Sequence, residues 1–381
     1  MARVLILGGG FGGLAAANEL RRLMPDDEIT LIDRSDHFYM GFAKLWDLAG
    51  IRPLSGGTVS LFRLTERGVR FVQAEATAID PENKRVDTSE GTFEADALLV
   101  ALGAGPPPRH TELLQAAGAH DLYDGAGLPA IHRDLESAKE GRVVVSILGA
   151  PFKCPPAPFE AALIVDELAR RRGVRDDLDV VLSTPQPMTL PVAGKDASQY
   201  VAQHLADRGV ELLTEHKVTE VDGDSHRVRF ENGSELEYTV LLGVPASAPP
   251  PVVRQSPLAA ASGWIEPDKR TLQTHFDSVY AVGDCTAIPT AKGMLPKAGV
   301  FAASEGLVAA NNIAAELSGG EHSELYGDGF CFLELPGRRV AYVEGDFFAE
   351  PAPDLHITEA SEELFRRKQE YERDRLSEWL K

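Results

Sequence analysis

The stretch ILGAPFKCPPAPFE, Ile147 to Glu160, places a thiol, Cys154, between a lysine and two prolines, with a carboxylate, Glu160, in the following turn. A thiolate is the attacking group in thiol–disulfide exchange, and its supply depends on what lowers the thiol pKa. If Pro155 or Pro156 opens a helix, the helix N-terminus is expected to lower the Cys154 pKa below the free value of about 8.5. The other cysteines are Cys285 and Cys331. Three are too few for a secreted disulfide framework. In a reducing compartment, a disulfide here would be catalytic rather than structural. No metal site is expected.

The elements around Cys154 gain meaning from the N-terminus. Val4–Leu7 reads as an apolar strand. Gly8-Gly9-Gly10-Phe11-Gly12-Gly13 follows, then an Ala/Leu-rich helix from Leu14 to Leu23 and a second strand, Ile29–Ile32, ending at Asp33. This is the dinucleotide fingerprint in its required context. Gly8 serves the tight turn, Gly10 the approach of the pyrophosphate, Gly13 close helix–strand packing and Asp33 the ribose hydroxyls. FAD and NAD share this fingerprint. Ser278 to Asp284, SVYAVGD, separates them: a short strand ends in Gly283-Asp284 ahead of a helical run from Val300 to Leu317. It looks like the second FAD motif of two-dinucleotide-binding flavoproteins, whose Asp contacts the ribityl chain.

An internal duplication extends the pattern. Ala76–Pro108 and Val218–Pro250 align without gaps at a constant offset of 142. Each reads as a strand, a hairpin turning at Ser89–Gly91 or Glu231–Gly233, and a further strand entering a Pro-rich crossover. The fold expected is therefore α/β, with two Rossmann-like domains, one inserted in the other. Residues 1–105 and 252–320 form the FAD domain, 106–251 the second domain and 321–381 a C-terminal region. In the second domain, Gly149 to Cys154 occupies the place of the glycine loop. Pro151 stands for the middle glycine and offers no amide hydrogen, Cys154 stands for the third, and the strand Asp179–Ser183 ends in Thr184 rather than an acid. Such a half keeps the fold and lacks the parts that hold NAD(P)H. Electrons are expected to enter through Cys154.

At this point the sequence resembles the sulfide:quinone oxidoreductases and the flavin subunit of flavocytochrome c sulfide dehydrogenase. The carrying residues are Lys153 to Glu160, Gly283-Asp284, Leu295-Pro296-Lys297-Ala298-Gly299 and Gly329-Phe330-Cys331. The resemblance implies a redox-active pair, Cys154 and Cys331, above the flavin. Hydrosulfide attacks the disulfide, one cysteine becomes a persulfide, the other a thiolate, and two electrons pass to the ring and on to a quinone. It implies Glu160 as proton acceptor, and Lys297 as a positive charge near the flavin pyrimidine edge or a ligand of quinone oxygen. The implied cofactor set is Gly8, Gly10, Phe11, Gly12, Gly13, Asp33, Arg34, Ala76, Gly103, Gly283, Asp284 and Lys297. Cys285 is expected to pack near the ribityl chain without a catalytic part.

There are two departures. Relatives that bind FAD covalently use a further cysteine. None lies near Tyr39–Phe42 or in 109–135, so FAD should be non-covalent. The tail, Ser361–Lys381, is one highly charged helix pattern with a thin stripe of Leu364, Tyr371, Leu376 and Trp379-Leu380, which packs on the body or a partner subunit, or dips into a membrane. No Cys-x-x-Cys-His haem site is present. His132-Arg133-Asp134-Leu135 mimics a kinase catalytic loop without its partners.

The chain has 58 acidic and 38 basic residues, a formal charge of −20, which argues against nucleic acid and anionic lipid as partners. No apolar run approaches a membrane span, and Met1-Ala2-Arg3 leads straight into a strand. A cytoplasmic enzyme, or one on the inner face of a membrane, is expected. A homodimer is left open. Two other readings stand beside the first: a type II NADH:quinone dehydrogenase, and a flavoprotein sensor in which the state of Cys154 and Cys331 controls partner binding.

Overall fold

The structure is a computed structural model and describes residues 1–381. The apolar run at the N-terminus forms β1 (Arg3–Leu7), and α1 (Phe11–Leu23) follows directly from the glycine turn. Then come β2 (Glu28–Asp33), the short helix α2 (Ala43–Leu48), β3 (Arg70–Gln73) and β4 (Ala97–Val100). The chain next builds β5 (His120–Asp121), α3 (Leu128–Ser137), β6 (Gly141–Ile147), α4 (Ala157–Arg172), β7 (Leu178–Ser183), α5 (Gly194–Asp207), β8 (Glu211–Leu213) and β9 (Val240–Val244). It returns through β10 (Val279–Ala281) and α6 (Gly299–Ser318). An antiparallel sheet, β11 (Asp328–Leu335), β12 (Arg339–Asp346) and β13 (Asp354–Ser361), and the helix α7 (Glu362–Leu380) end the chain.

Two five-stranded parallel sheets result, in the orders β10-β4-β1-β2-β3 and β5-β9-β6-β7-β8. In each, the strand before the turn is central. Leu7 pairs with Ile32 on one side and Val100 on the other, while Ser146 pairs with Ser183 and Gly243. Central strands are covered on both faces, hence the continuous apolar runs VLIL and VVVSI. The duplication persists to the level of a defect. The sheets over 76–94 and 218–237 carry a register shift at equivalent places, between Ala76 and Ala78 and between Val218 and Glu220.

Glycines set the approach of α1 to its neighbours. A Cβ on Gly13 would collide with the Gly8 carbonyl, and a Cβ on Gly306 of α6 with the Gly12 carbonyl. The two helices that reach the cofactor region therefore lie at close quarters. Gly8 sits at φ +107, where a side chain is strained. Of the tail stripe, Leu376, Trp379 and Leu380 are buried in the main core, and the Trp379 ring packs on Phe11 and Phe38 with centroids 5.8 and 6.0 Å away. The stripe packs on the body, which locks α7 against the glycine turn. No helix is long and apolar enough to cross a membrane.

Candidate active site

A cleft of about 300 Å3 lies between the two sheets, with Lys368 and Tyr371 of α7 on its wall. Its lining includes Gly10, Phe11 and Gly12 at the start of α1, Asp284, and Gly299, Val300 and Ala302 at the start of α6. The α1 N-terminus suits an anion. It has no side-chain cap and no acid in its first turn, and no carbonyl takes the amide hydrogens of Phe11, Gly12 and Gly13. Gly10 has nothing within 4 Å of where its Cβ would stand. Asp33 turns one oxygen to the Gly9 amide (2.6 Å) and the other to that of Ser35 (2.7 Å), fixing a carboxylate beside the turn. These residues fit a dinucleotide. Of the other sequence candidates, Gly103 and Gly283 border the same cleft, whereas Arg34 and Ala76 do not; the Arg34 carbonyl accepts from Gln73 Nε2 at 3.2 Å.

The second turn is built differently. Cys154 adopts φ +48 and its amide donates to the Lys297 carbonyl at 2.8 Å. The Tyr123 hydroxyl donates to the Lys153 carbonyl (2.5 Å), and the Lys153 ammonium to that of Ala104 (3.0 Å). At the start of α4 the free amides are already used: Ala157 donates to Cys154, and Phe159 and Glu160 to Pro156. Pro158 has none, and Glu160 puts a carboxylate in the first turn.

Cys154 and Cys331 are free thiols on the wall of one cleft, Cys331 arriving from β11 between Phe330 and Phe332. The expected lowering of the Cys154 pKa does not hold. Burial and then the Glu160 carboxylate push it up to about 12, against Lys368 and Lys44, which pull it down. Desolvation outweighs the helix terminus. Burial also raises Cys331, with Cys154 adding to the effect.

Glu160 is fully buried. It accepts the Glu334 amide at 2.5 Å and faces the Lys368 ammonium at 3.6 Å. Burial raises its pKa, opposed by Lys368. Lys368 is itself buried, pairs with Glu334 at 2.7 Å and lies 5.0 Å from the Phe42 ring centroid; Trp46 Nε1 donates to the other side of the pair, Glu334 Oε2, at 2.8 Å. Sequence reasoning missed Lys368, Glu334 and Tyr123. A signal existed for the first: Lys368 falls on the apolar stripe of α7, four residues from Leu364 and three from each of Phe365 and Tyr371.

Lys297 is buried, but its ammonium bonds the Thr286 carbonyl and lies 4.1 Å from the Trp264 ring centroid. Burial lowers its pKa, while Asp284 acts against that. Cys285 is wholly buried, with Sγ 3.3 Å from the Val282 carbonyl, and does not border the cleft. His132, on α3, pairs with Asp47 at 2.7 Å.

Comparison with known proteins decides the family. The model of the family described as pyridine nucleotide-disulphide oxidoreductase matches residues 2–306. The chain belongs to that family. Its cofactor is FAD, and it is an oxidoreductase. Among relatives, it is 25% identical over 379 residues to the mitochondrial sulfide:quinone oxidoreductase of Mus musculus, covering 95% of this chain and 82% of that one. It is 27% identical over 338 residues to the sulfide-quinone reductase of Aquifex aeolicus (82% and 76% covered). It is also 26% identical over 349 residues to a type II NADH:quinone oxidoreductase of Staphylococcus aureus, 83% of each being covered. In fold it resembles the sulfide:quinone oxidoreductase structure from Aquifex aeolicus, with a TM-score of 0.87 at 22% identity over 98% of this chain and 90% of that one.

Proposed function

We propose that this pyridine nucleotide-disulphide oxidoreductase oxidises sulfide through Cys154 and Cys331 and passes the electrons by way of FAD to a quinone. The observation that carries the reading is the pairing of an open glycine turn with a closed one. Two thiols from different parts of the chain border the cleft that the α1 N-terminus enters. The place where the second nucleotide would meet a helix N-terminus is filled by Pro151, Cys154 and Glu160. All three relatives named above carry quinone in their names, which supports the acceptor.

In the oxidised protein, Cys154 and Cys331 form a disulfide. Hydrosulfide attacks one sulfur, the S–S bond breaks, a persulfide forms and the other cysteine leaves as thiolate. Glu160, with its pKa raised by burial, takes the proton of the incoming sulfur, and Lys368 limits the charge that results. FAD, when bound, supplies the two-electron acceptor. A second hydrosulfide removes the sulfane sulfur. In sum, two hydrosulfide ions yield one hydrogen disulfide ion, one proton, which Glu160 takes, and two electrons, which bound FAD would accept. Gly8, Gly10, Phe11, Gly12, Gly13 and Asp33 would hold the dinucleotide end of FAD, and Gly103, Gly283 and Asp284 the ribityl side. Residues 1–105 with 252–320 bind the cofactor, 106–251 presents Cys154, and 321–381 presents Cys331. The buried Lys297 ammonium fixes Thr286 after the Gly-Asp turn and adds positive potential there.

The test is anaerobic mixing of the yellow protein with sulfide and, separately, with NADH, followed by added quinone. Sulfide should bleach the flavin and quinone restore it. Rapid bleaching by NADH alone would favour the type II NADH:quinone reading, and inertness to both donors the sensor.

A further inference from the structure

The chain carries a charge of −20, so its mean field repels an anionic substrate. Lys44, on α2, is a local exception. It borders the cleft together with Cys154. Its ammonium donates to the Tyr123 carbonyl at 2.7 Å, with the Tyr39 and Tyr123 ring centroids 5.9 and 5.5 Å away. An ammonium has three donors, so two remain for the cleft. Two carboxylates lie nearby, Asp121, which accepts the Tyr123 amide at 2.7 Å, and Asp124, which accepts that of Ala126 at 2.9 Å; both act on the ammonium, and neither forms a salt bridge with it. Lys153, from the Cys154 turn, is held by Ala104. By contrast, Lys368 is neutralised by Glu334 and Glu160, and Lys297 is committed to Thr286 and Trp264. Lys44, like Lys153, therefore borders the cleft without a salt-bridged carboxylate, and of the two it is Lys44 that lies beside two tyrosine faces.

We propose that Lys44 is a positioning residue whose ammonium draws hydrosulfide into the cleft and holds the anionic sulfur against Cys154. The inference rests on the sulfide chemistry proposed above and adds the group that recognises its substrate. A small anion offers no shape to read, so a fixed charge in a low-dielectric wall is the means of selecting it. The neutral tyrosine faces keep the ammonium partly desolvated, which strengthens the attraction.

The groups facing Lys44 are Tyr39, Asp121, Tyr123, Asp124, Lys153 and Cys154. Burial and then Lys153 lower its pKa to about 8, against Asp121, Cys154 and Asp124. Above that pH the ammonium gives up its proton and the attraction with it.

The experiment is rapid anaerobic mixing of the FAD-loaded protein with sulfide, with flavin bleaching followed against sulfide concentration on both sides of pH 8. In the wild type, the second-order constant should fall as pH rises through about 8. Lys44→Met should lower it about tenfold at neutral pH and lose that fall, with the rate at saturating sulfide little changed. Lys44→Arg should keep the constant and carry it to higher pH, since a guanidinium does not deprotonate there. A merely structural lysine would not give an arginine variant a shifted pH profile. FAD content and bleaching by dithionite report that each variant is folded. A Lys44→Met protein with the wild-type constant, or a Lys44→Arg protein with an unshifted fall, would overturn the assignment while leaving the sulfide reading intact. A wild type that sulfide does not bleach would overturn both.

Discussion

The turns after β1 and after β6 are the same connection built twice, and they differ in what is left free. After β1, glycines bring the backbone close, three amides lack partners and no acid stands in the first turn of α1. After β6, prolines and internal bonds use up the amides, Glu160 adds negative charge, and a thiol replaces the third glycine. A helix N-terminus is an anion site only while its donors are free and its first turn is neutral. The frame is shared by the halves, and a handful of residues remove the free donors of a phosphate cradle and set a thiol in their place, which the proposed function makes a redox group.

Gly13→Val should break the comparison on the first side, giving the largest effect. The new side chain would strike the Gly8 carbonyl, and the protein should purify without FAD, as read from its absorbance; a yellow Gly13→Val protein would show that close packing there is dispensable. On the second side, Cys331→Ser should keep FAD and lose about a thousandfold or more in sulfide-driven bleaching, and normal rates would remove Cys331 from the chemistry.

Lys368→Met asks what the acid at the start of α4 requires. Two buried carboxylates, Glu160 and Glu334, would lose their cation, and denaturant unfolding should show a loss of about 3–5 kcal/mol. An unchanged midpoint would mean that the pair is already protonated.

The smallest effect concerns Glu305, on α6, which accepts the Gly283 amide of the Gly-Asp turn at 2.5 Å. Burial raises its pKa from 4.5 to about 7. The folded state then holds a proton that the unfolded state releases, so stability falls as pH rises from 4.5 to about 7. Glu305→Gln removes that titration. Thermal melts across the window should show the variant gaining on the wild type by about 2–4 °C; parallel curves would contradict the buried-acid assignment.

The first turn was legible because its signal is local: a strand period, glycines at fixed offsets and an acid after the next strand. The second became legible by alignment with the first, since Pro151 and Thr184 are informative only against what they replace. The pKa of Cys154 was not legible. A helix terminus can be read from prolines, but the burial and the neighbouring Glu160 that outweigh it are products of packing. Lys44, Tyr123 and Lys368 meet the thiols from α2, the loop after β5 and α7, and no spacing announces that meeting. Lys297 was found by its motif, yet its ammonium goes to Trp264 and Thr286, a direction set by tertiary contacts.

The central claim is that the second turn delivers electrons through Cys154 to the flavin held by the first. Rapid mixing of oxidised, FAD-loaded wild type and Cys154→Ser with sulfide, under anaerobic conditions, tests it most directly. Prompt bleaching of the wild type beside a Cys154→Ser protein that stays yellow is the predicted result. Equal bleaching of both would contradict the account.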